Sequence, residues 1–141
     1  MAQNYDPKFP MGPKPVAPTY MGLVEAIQIC LSKYVNFTGR ASRSEYWWFM
    51  LFTFLVGMIC SVLGWFGTIG KVFGYLIELA FVVPSLAVSW RRMHDIGKGG
   101  GWWFINFVPL IGWIIWIVFC CNPSEPIANR FGDVPADIQN N

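Results

Sequence analysis

Charge is scarce in this chain. Of 141 residues, 10 are Lys or Arg and 8 are Asp or Glu, 13% together, about half the share of an ordinary soluble domain. A formal net charge of +2 gives a nucleic-acid partner little electrostatic support. Histidine occurs once, as His94, and none of the four cysteines (Cys30, Cys60, Cys120, Cys121) stands in a C-x-x-C pair. A structural metal site therefore lacks its usual ligands, and no cofactor is expected. The cysteines read as small apolar residues. The first 20 residues hold no apolar core of the signal-peptide kind. They carry Pro7, Pro10, Pro13, Pro15 and Pro18 instead, so residues 1–18 read as a disordered tail. Its P-x-x-P spacings suit a docking motif in principle and a solvated tail better.

Apolar and aromatic residues fill the space that charge leaves: 55% of the chain is hydrophobic, with eight Trp and twelve Phe. The run from Trp47 to Phe66 has no charge and covers roughly 30 Å as a helix, the hydrocarbon thickness of a bilayer. A second run, 72–90, is interrupted by Glu78 and Pro84, and a third, 102–121, contains Asn106 and Pro109. Each proline frees a carbonyl one turn earlier, on Ala80 and Ile105, which neighbouring groups must satisfy. Gly57, Ser61 and Gly64 share one face of the first run and allow a second helix to approach closely. Before the runs, Leu23, Ile27, Cys30 and Tyr34 form a stripe opposite Glu25, Gln28 and Ser32. That pattern predicts an amphipathic helix over 20–35, lying on the membrane surface or capping the bundle. The expected fold is all-α: an integral membrane bundle of about three transmembrane helices (47–66, 72–90 and 102–121) preceded by this interfacial helix. The membrane domain would cover 19–122, with a polar C-terminal tail over 123–141.

Basic residues orient the bundle. Lys8, Lys14, Lys33, Arg40, Arg43, Arg91, Arg92 and Lys98 fall on one side of a three-span arrangement, Lys71 and Arg130 on the other. The bias predicts a cytoplasmic N-terminus and an outer C-terminus. A two-span arrangement, with the Glu78 segment re-entrant, would return the C-terminus inside. Trp47, Trp48, Trp90, Trp102 and Trp103 mark the basic boundary and Trp65 the opposite one, while Trp113 and Trp116 lie too deep for a belt and read as packing residues.

Ser42-Arg43-Ser44-Glu45 just ahead of the first run is a capping box, which makes Glu45 a cap rather than a catalytic acid. Arg91-Arg92-Met93-His94-Asp95 puts two cations, the histidine and an acid at the mouth of a span. With Arg40, Arg43 and Lys98, and with Gly99–Gly101 before a helix start, it offers an anion or lipid-phosphate contact. The plainer reading is an orientation signal on a glycine linker. Gly97-Lys98-Gly99 lacks both the earlier glycine and the following Ser or Thr of a nucleotide-phosphate loop. His94 and Asp95, being adjacent on a helix, point about 100° apart and do not form a dyad with each other. Asp95 is placed to cap a turn or to pair with Arg40 or Arg43. Glu78 is the one acid well inside a span, where an ionised carboxylate costs several kcal/mol unless paired.

Three blocks together, Phe37–Trp47 with its Gly39-Arg40-Ala41-Ser42-Arg43-Ser44-Glu45 core, Arg91–Asp95 followed by Gly97 and Trp102, and Asn129-Arg130-Phe131-Gly132, resemble the domain of unknown function 805 family. The resemblance covers about residues 20–135. It implies a small multi-pass protein of the bacterial inner membrane and brings no assigned activity or site with it. The expected function is non-enzymatic: binding of anionic lipid, a second copy or another membrane protein at the cytoplasmic face. The alternative is a component of a small transporter or channel using Glu78.

Overall fold

The computed structural model describes residues 21–138; the Pro-rich segment read over 1–18 lies outside them. Four α-helices follow in order: α1 Leu23–Ser32, α2 Arg43–Leu63, α3 Thr68–Asp95 and α4 Ile111–Cys121, with 3-10 segments at Gly64–Phe66 and Gly100–Phe107. Among the described residues the sole extended pairing is an isolated bridge between Asn129 and Gly132. The all-α membrane bundle is as the sequence predicts.

Helix α2 starts where the capping box puts it. The Ser42 side chain accepts from the Glu45 backbone N–H at 3.1 Å, which satisfies one of the unpaired donors of the first turn. Its reciprocal half is not formed, because the Glu45 carboxylate turns to Arg91 instead. α2 and α3 are the two helices long and apolar enough to cross a membrane; at 1.5 Å per residue they measure about 32 and 42 Å. A short 3-10 turn and Gly67 join them, so they run antiparallel. The two helices approach closely: a Cβ at Gly74 of α3 would stand 3.2 Å from the Cys60 carbonyl of α2.

The third apolar run is not one span. Its first arm is the 3-10 segment Gly100–Phe107 and its second is α4, each about 16 Å long at 2.0 and 1.5 Å per residue. Each arm reaches only about half of a 30 Å hydrocarbon layer. Between them the chain reverses at Leu110, whose φ of 62° and ψ of −68° form a γ-turn closed by Ile111 N–H to the Pro109 carbonyl at 2.8 Å. Residues 100–121 therefore form a hairpin that enters and leaves at the Asp95 end. The single helical span expected over 102–121 is corrected accordingly. The physical reason is local. Gly112 lets the arms touch, since any Cβ there would collide with the Ile105 carbonyl. That carbonyl, freed by Pro109, accepts from Val108 N–H at 3.0 Å. Trp113 Nε1 donates to the Asn106 carbonyl at 3.0 Å, and Asn106 Nδ2 donates to that of Trp103 at 2.8 Å. These carbonyls in the non-helical stretch thus find partners within the chain, as an apolar surrounding would require.

Helix α1 is held by protein contacts: Ala26 and Cys30 are fully buried against the bundle. Beyond it, the Tyr34 hydroxyl donates to the Ala80 carbonyl, the group that Pro84 deprives of its helical donor. The core joins Cys30, Phe49, Val88, Met93, Trp116 and Cys120.

Candidate functional site

The Asp95 end of the bundle concentrates nearly all of its buried charge. Arg40, Glu45, Arg91, Arg92 and Asp95 are at most 6% exposed. Arg40 Nε meets Asp95 Oδ1 at 3.0 Å, Arg92 pairs with the other oxygen of Asp95 from one turn earlier, and Arg91 pairs with Glu45. Three guanidinium groups against two carboxylates leave one cation in excess. Backbone carbonyls absorb it. Arg40 donates to Glu125 and Ile127 at 2.6 and 2.7 Å; Arg92 donates to Cys120 at 3.2 Å and to Asn122. Charge buried in low dielectric survives only when paired and hydrogen-bonded in this way. The planar fork of Arg, with five donors, suits it where Lys would not. Arg91 is the least satisfied member: its Nε and Nη2 find no hydrogen-bond partner among the described residues.

Asp95 stands at the C-terminal end of α3, where the helix dipole disfavours an anion. Arg40, Arg92 and the Ser124 hydroxyl offset that cost. The sequence offered Arg40 or Arg43 as its partner; the structure selects Arg40 and adds Arg92. His94 turns elsewhere. Its Nδ1 lies 3.1 Å from the Gly39 carbonyl and its ring stacks on Phe131, centroids 4.0 Å apart. His94 and Asp95 thus serve separate partners and no dyad forms. Gly39, at φ +82°, makes the turn that presents its carbonyl to His94 and Arg40 to Asp95, a backbone state that favours glycine. Asn129 Nδ2 donates to the His94 carbonyl at 2.9 Å and to Glu125 at 2.6 Å; Arg130 lies over the Phe131 ring at 4.6 Å. All three sequence blocks therefore meet at one place, tied by the C-terminal segment.

Of the five cations expected to contact an anion, Arg40, Arg91 and Arg92 are enclosed and taken by protein groups. They do not form a headgroup-facing ring. Arg43 and Lys98 remain toward the surface. Arg43 borders a cleft of about 510 Å³ with Trp47, Trp48, Leu51 and Cys121. Lys98 Nζ sits 5.1 Å from the Trp102 ring centroid and 4.7 Å from that of Phe119. Arg130 belongs to this end too, leaving Lys71 beside the far end of α2. Cys30, outside the spans, packs against the lock with its thiol 3.7 Å from Glu45. Burial, and then the Glu45 charge, push that thiol up to about 12.

Glu78 is separate from the lock. It is exposed on α3, about 15 Å from the Thr68 end, and makes no hydrogen bond or ion pair with a described residue. Two cavities share it: one of about 440 Å³ toward the lock and one of about 220 Å³ toward Lys71. Sequence reasoning missed Tyr34, Ser124 and Glu125. Tyr34 had a legible signal, a phenol on the apolar stripe and a carbonyl freed by Pro84; the other two act through folded-back backbone.

Two long apolar helices, a shorter apolar hairpin and a buried charge lock at one end fit an α-helical membrane protein. The chain belongs to the DUF805 family, described as a protein of unknown function, whose pattern matches residues 34–133. It is similar to inner membrane protein YhaH of Escherichia coli (strain K12), 41% identical over 74% of this chain and 91% of the relative. Inner membrane protein YhaI of the same strain is 41% identical over 74% of this chain and 90% of its own length. No solved structure matches.

Proposed function

We propose that this protein is a non-enzymatic component of the bacterial inner membrane, oriented with the lock end in the cytoplasm, that holds anionic phospholipid at that face. The supporting observation is Arg43. It is the one arginine of the expected ring that stays exposed, and it tops a cleft walled by Trp47, Trp48 and Leu51. A cation at headgroup level above indole and aliphatic surface complements a phosphate above an acyl chain, and basic residues near an anionic surface contribute about 1 kcal/mol each. Lys98 is the second cation at that face. Arg40, Arg91, Arg92, Glu45 and Asp95 act behind the surface by fixing the helix ends that carry Arg43 and Lys98. The orientation rests on Arg40, Arg43, Arg91, Arg92, Lys98 and Arg130 sharing an end against Lys71 at the other.

Native mass spectrometry of the protein extracted gently from its own membrane tests this. Phosphatidylglycerol or cardiolipin adducts are expected on the wild type and lost when Arg43→Gln and Lys98→Gln are combined. Among the described residues neither side chain forms an ion pair, and Lys98 lies over the Trp102 and Phe119 rings, so the double variant is expected to keep its fold. Adducts unchanged in that variant overturn the reading, and a co-purifying protein in place of lipid assigns the cleft to a partner.

A further inference from the structure

We infer that the larger cavity at Glu78 is a binding site for an amphiphilic organic cation, an ammonium or phosphonium group on an apolar, aromatic-sized body. This is independent of the lipid cleft, which lies at the surface end of α2 and α4.

Three observations converge. The first is size and lining. The cavity holds about 440 Å³ and is walled by α2, α3 and both arms of the hairpin, within the range of small-molecule sites, which are mostly apolar with a few placed polar groups. The second is charge. Glu78 is the sole ionisable carboxylate on its wall, and it is exposed and unpartnered among the described residues. A carboxylate at that depth is costly without a counter-charge. Every other acid embedded with the helix ends, Glu45 and Asp95, has an arginine. The third is the aromatic wall: Phe81, Trp103, Trp116 and Tyr46 face the space, and ring faces attract a cation by about 0.5–2 kcal/mol each, more when water is excluded.

Among the described residues Glu78 forms no ion pair, although Lys71 lines the smaller cavity with it. Lys71 lies two helical turns away on the same side of α3 and borders the other cavity, about 10 Å along the axis. Thr53, Ser85 and Asn106 supply hydroxyl and amide groups along the wall, enough to orient a polar head and too few to solvate a free ion. A bare metal cation would find one carboxylate and no further anionic ligand. An amphiphile satisfies both halves of the site at once: its charge on Glu78, its body against the rings. An anionic or neutral ligand would leave the carboxylate unmatched.

The experiment uses the full chain in nanodiscs with tetraphenylphosphonium as probe and empty nanodiscs as the reference for partition into lipid. Saturable binding above that reference is expected. Glu78→Gln should weaken it at least tenfold, and Ser85→Leu, which fills the cavity and keeps the carboxylate, should do the same. Neutral tetraphenylmethane should compete poorly. If Glu78→Gln proves unstable, Ser85→Leu and the neutral competitor decide. Absence of saturable binding to the wild type, or equal affinity in both variants, overturns the assignment; the cavity is then filled by lipid chains or covered by a second copy.

Discussion

The Tyr34 hydroxyl donates to the Ala80 carbonyl across 46 residues of sequence, and so repairs the gap that Pro84 leaves in α3. The bond lies at the exposed surface of the protein, where a hydrogen bond contributes about 0.5–1.5 kcal/mol net. Tyr34→Phe should therefore lower the thermal midpoint in detergent. In a Pro84→Ala background, where the helix supplies its own N–H, the same substitution should cost much less. Equal losses in the two backgrounds would dissociate Tyr34 from the proline.

Removing one partner of a buried ion pair costs about 3–5 kcal/mol, because the other charge is stranded. Asp95 carries two arginines, so Asp95→Asn should be among the most damaging single changes, seen as aggregation or a large fall in midpoint. Arg92→Lys should fail to restore stability, since one ammonium cannot reach Asp95, Cys120 and Asn122 together. The pair Glu45→Gln with Arg91→Met should be milder than Glu45→Gln alone.

A hairpin over 100–121 predicts that the segments before α1 and after α4 share a side of the membrane. Reporters placed ahead of Leu23 and behind Asn141 should be active in the same compartment, and one inserted at Gly67 in the opposite one. Opposite sides for the two ends would restore a third span over 102–121.

Gly112→Ala places a methyl group on the Ile105 carbonyl. Overpacking of this kind costs about 1–3 kcal/mol, here with separation of the hairpin arms. Gly101→Ala, where a Cβ meets nothing within 4 Å, should be tolerated. Midpoints of the two variants, measured side by side, check the contrast.

Cys30 and Cys121 should differ in reactivity. Cys121 is exposed beside Arg43, whereas Cys30 is buried with its thiol pushed up to about 12 from an ordinary 9.0. Maleimide at neutral pH should label Cys121 and spare Cys30 until the protein unfolds. The neutral thiol is favoured by the fold, so its contribution to stability is complete below 9.0 and declines as pH rises toward about 12. Phosphatidylglycerol in the cleft should slow the labelling of Cys121.

The helices were legible because their signals are local. Ser42 and Glu45 announce the start of α2, and the absence of charge from Trp47 to Phe66 announces its length. Even the need at Ala80 was readable from Pro84. The hairpin was not, because 102–121 has the composition and length of a span; what folds it back is the one-residue turn at Leu110 and the contact of Gly112 with Ile105, local geometry that composition does not display. The lock was misread for a similar reason. Arg91 and Arg92 at a helix end look like surface cations until Glu45, Cys120 and Asn122, separated from them by 46, 28 and 30 residues, fold onto them. In the candidate site, residue identities were visible and the direction in which each side chain points was not.

Most of the carbonyls that hold Arg92 and Arg40 come from residues 120–127, with Ala41 and Asp95 supplying the others; the 120–127 segment is the last of these to be synthesised. Until that segment arrives, the arginines have too few partners to leave water. In the orientation proposed above they then act as hydrated anchors at the ends of α2 and α3; once the C-terminal segment folds back, the same groups become buried fasteners. A chain that stops short of residue 120 lacks four of these acceptors, and its Arg40 and Arg92 are expected to stay hydrated and the lock unsealed.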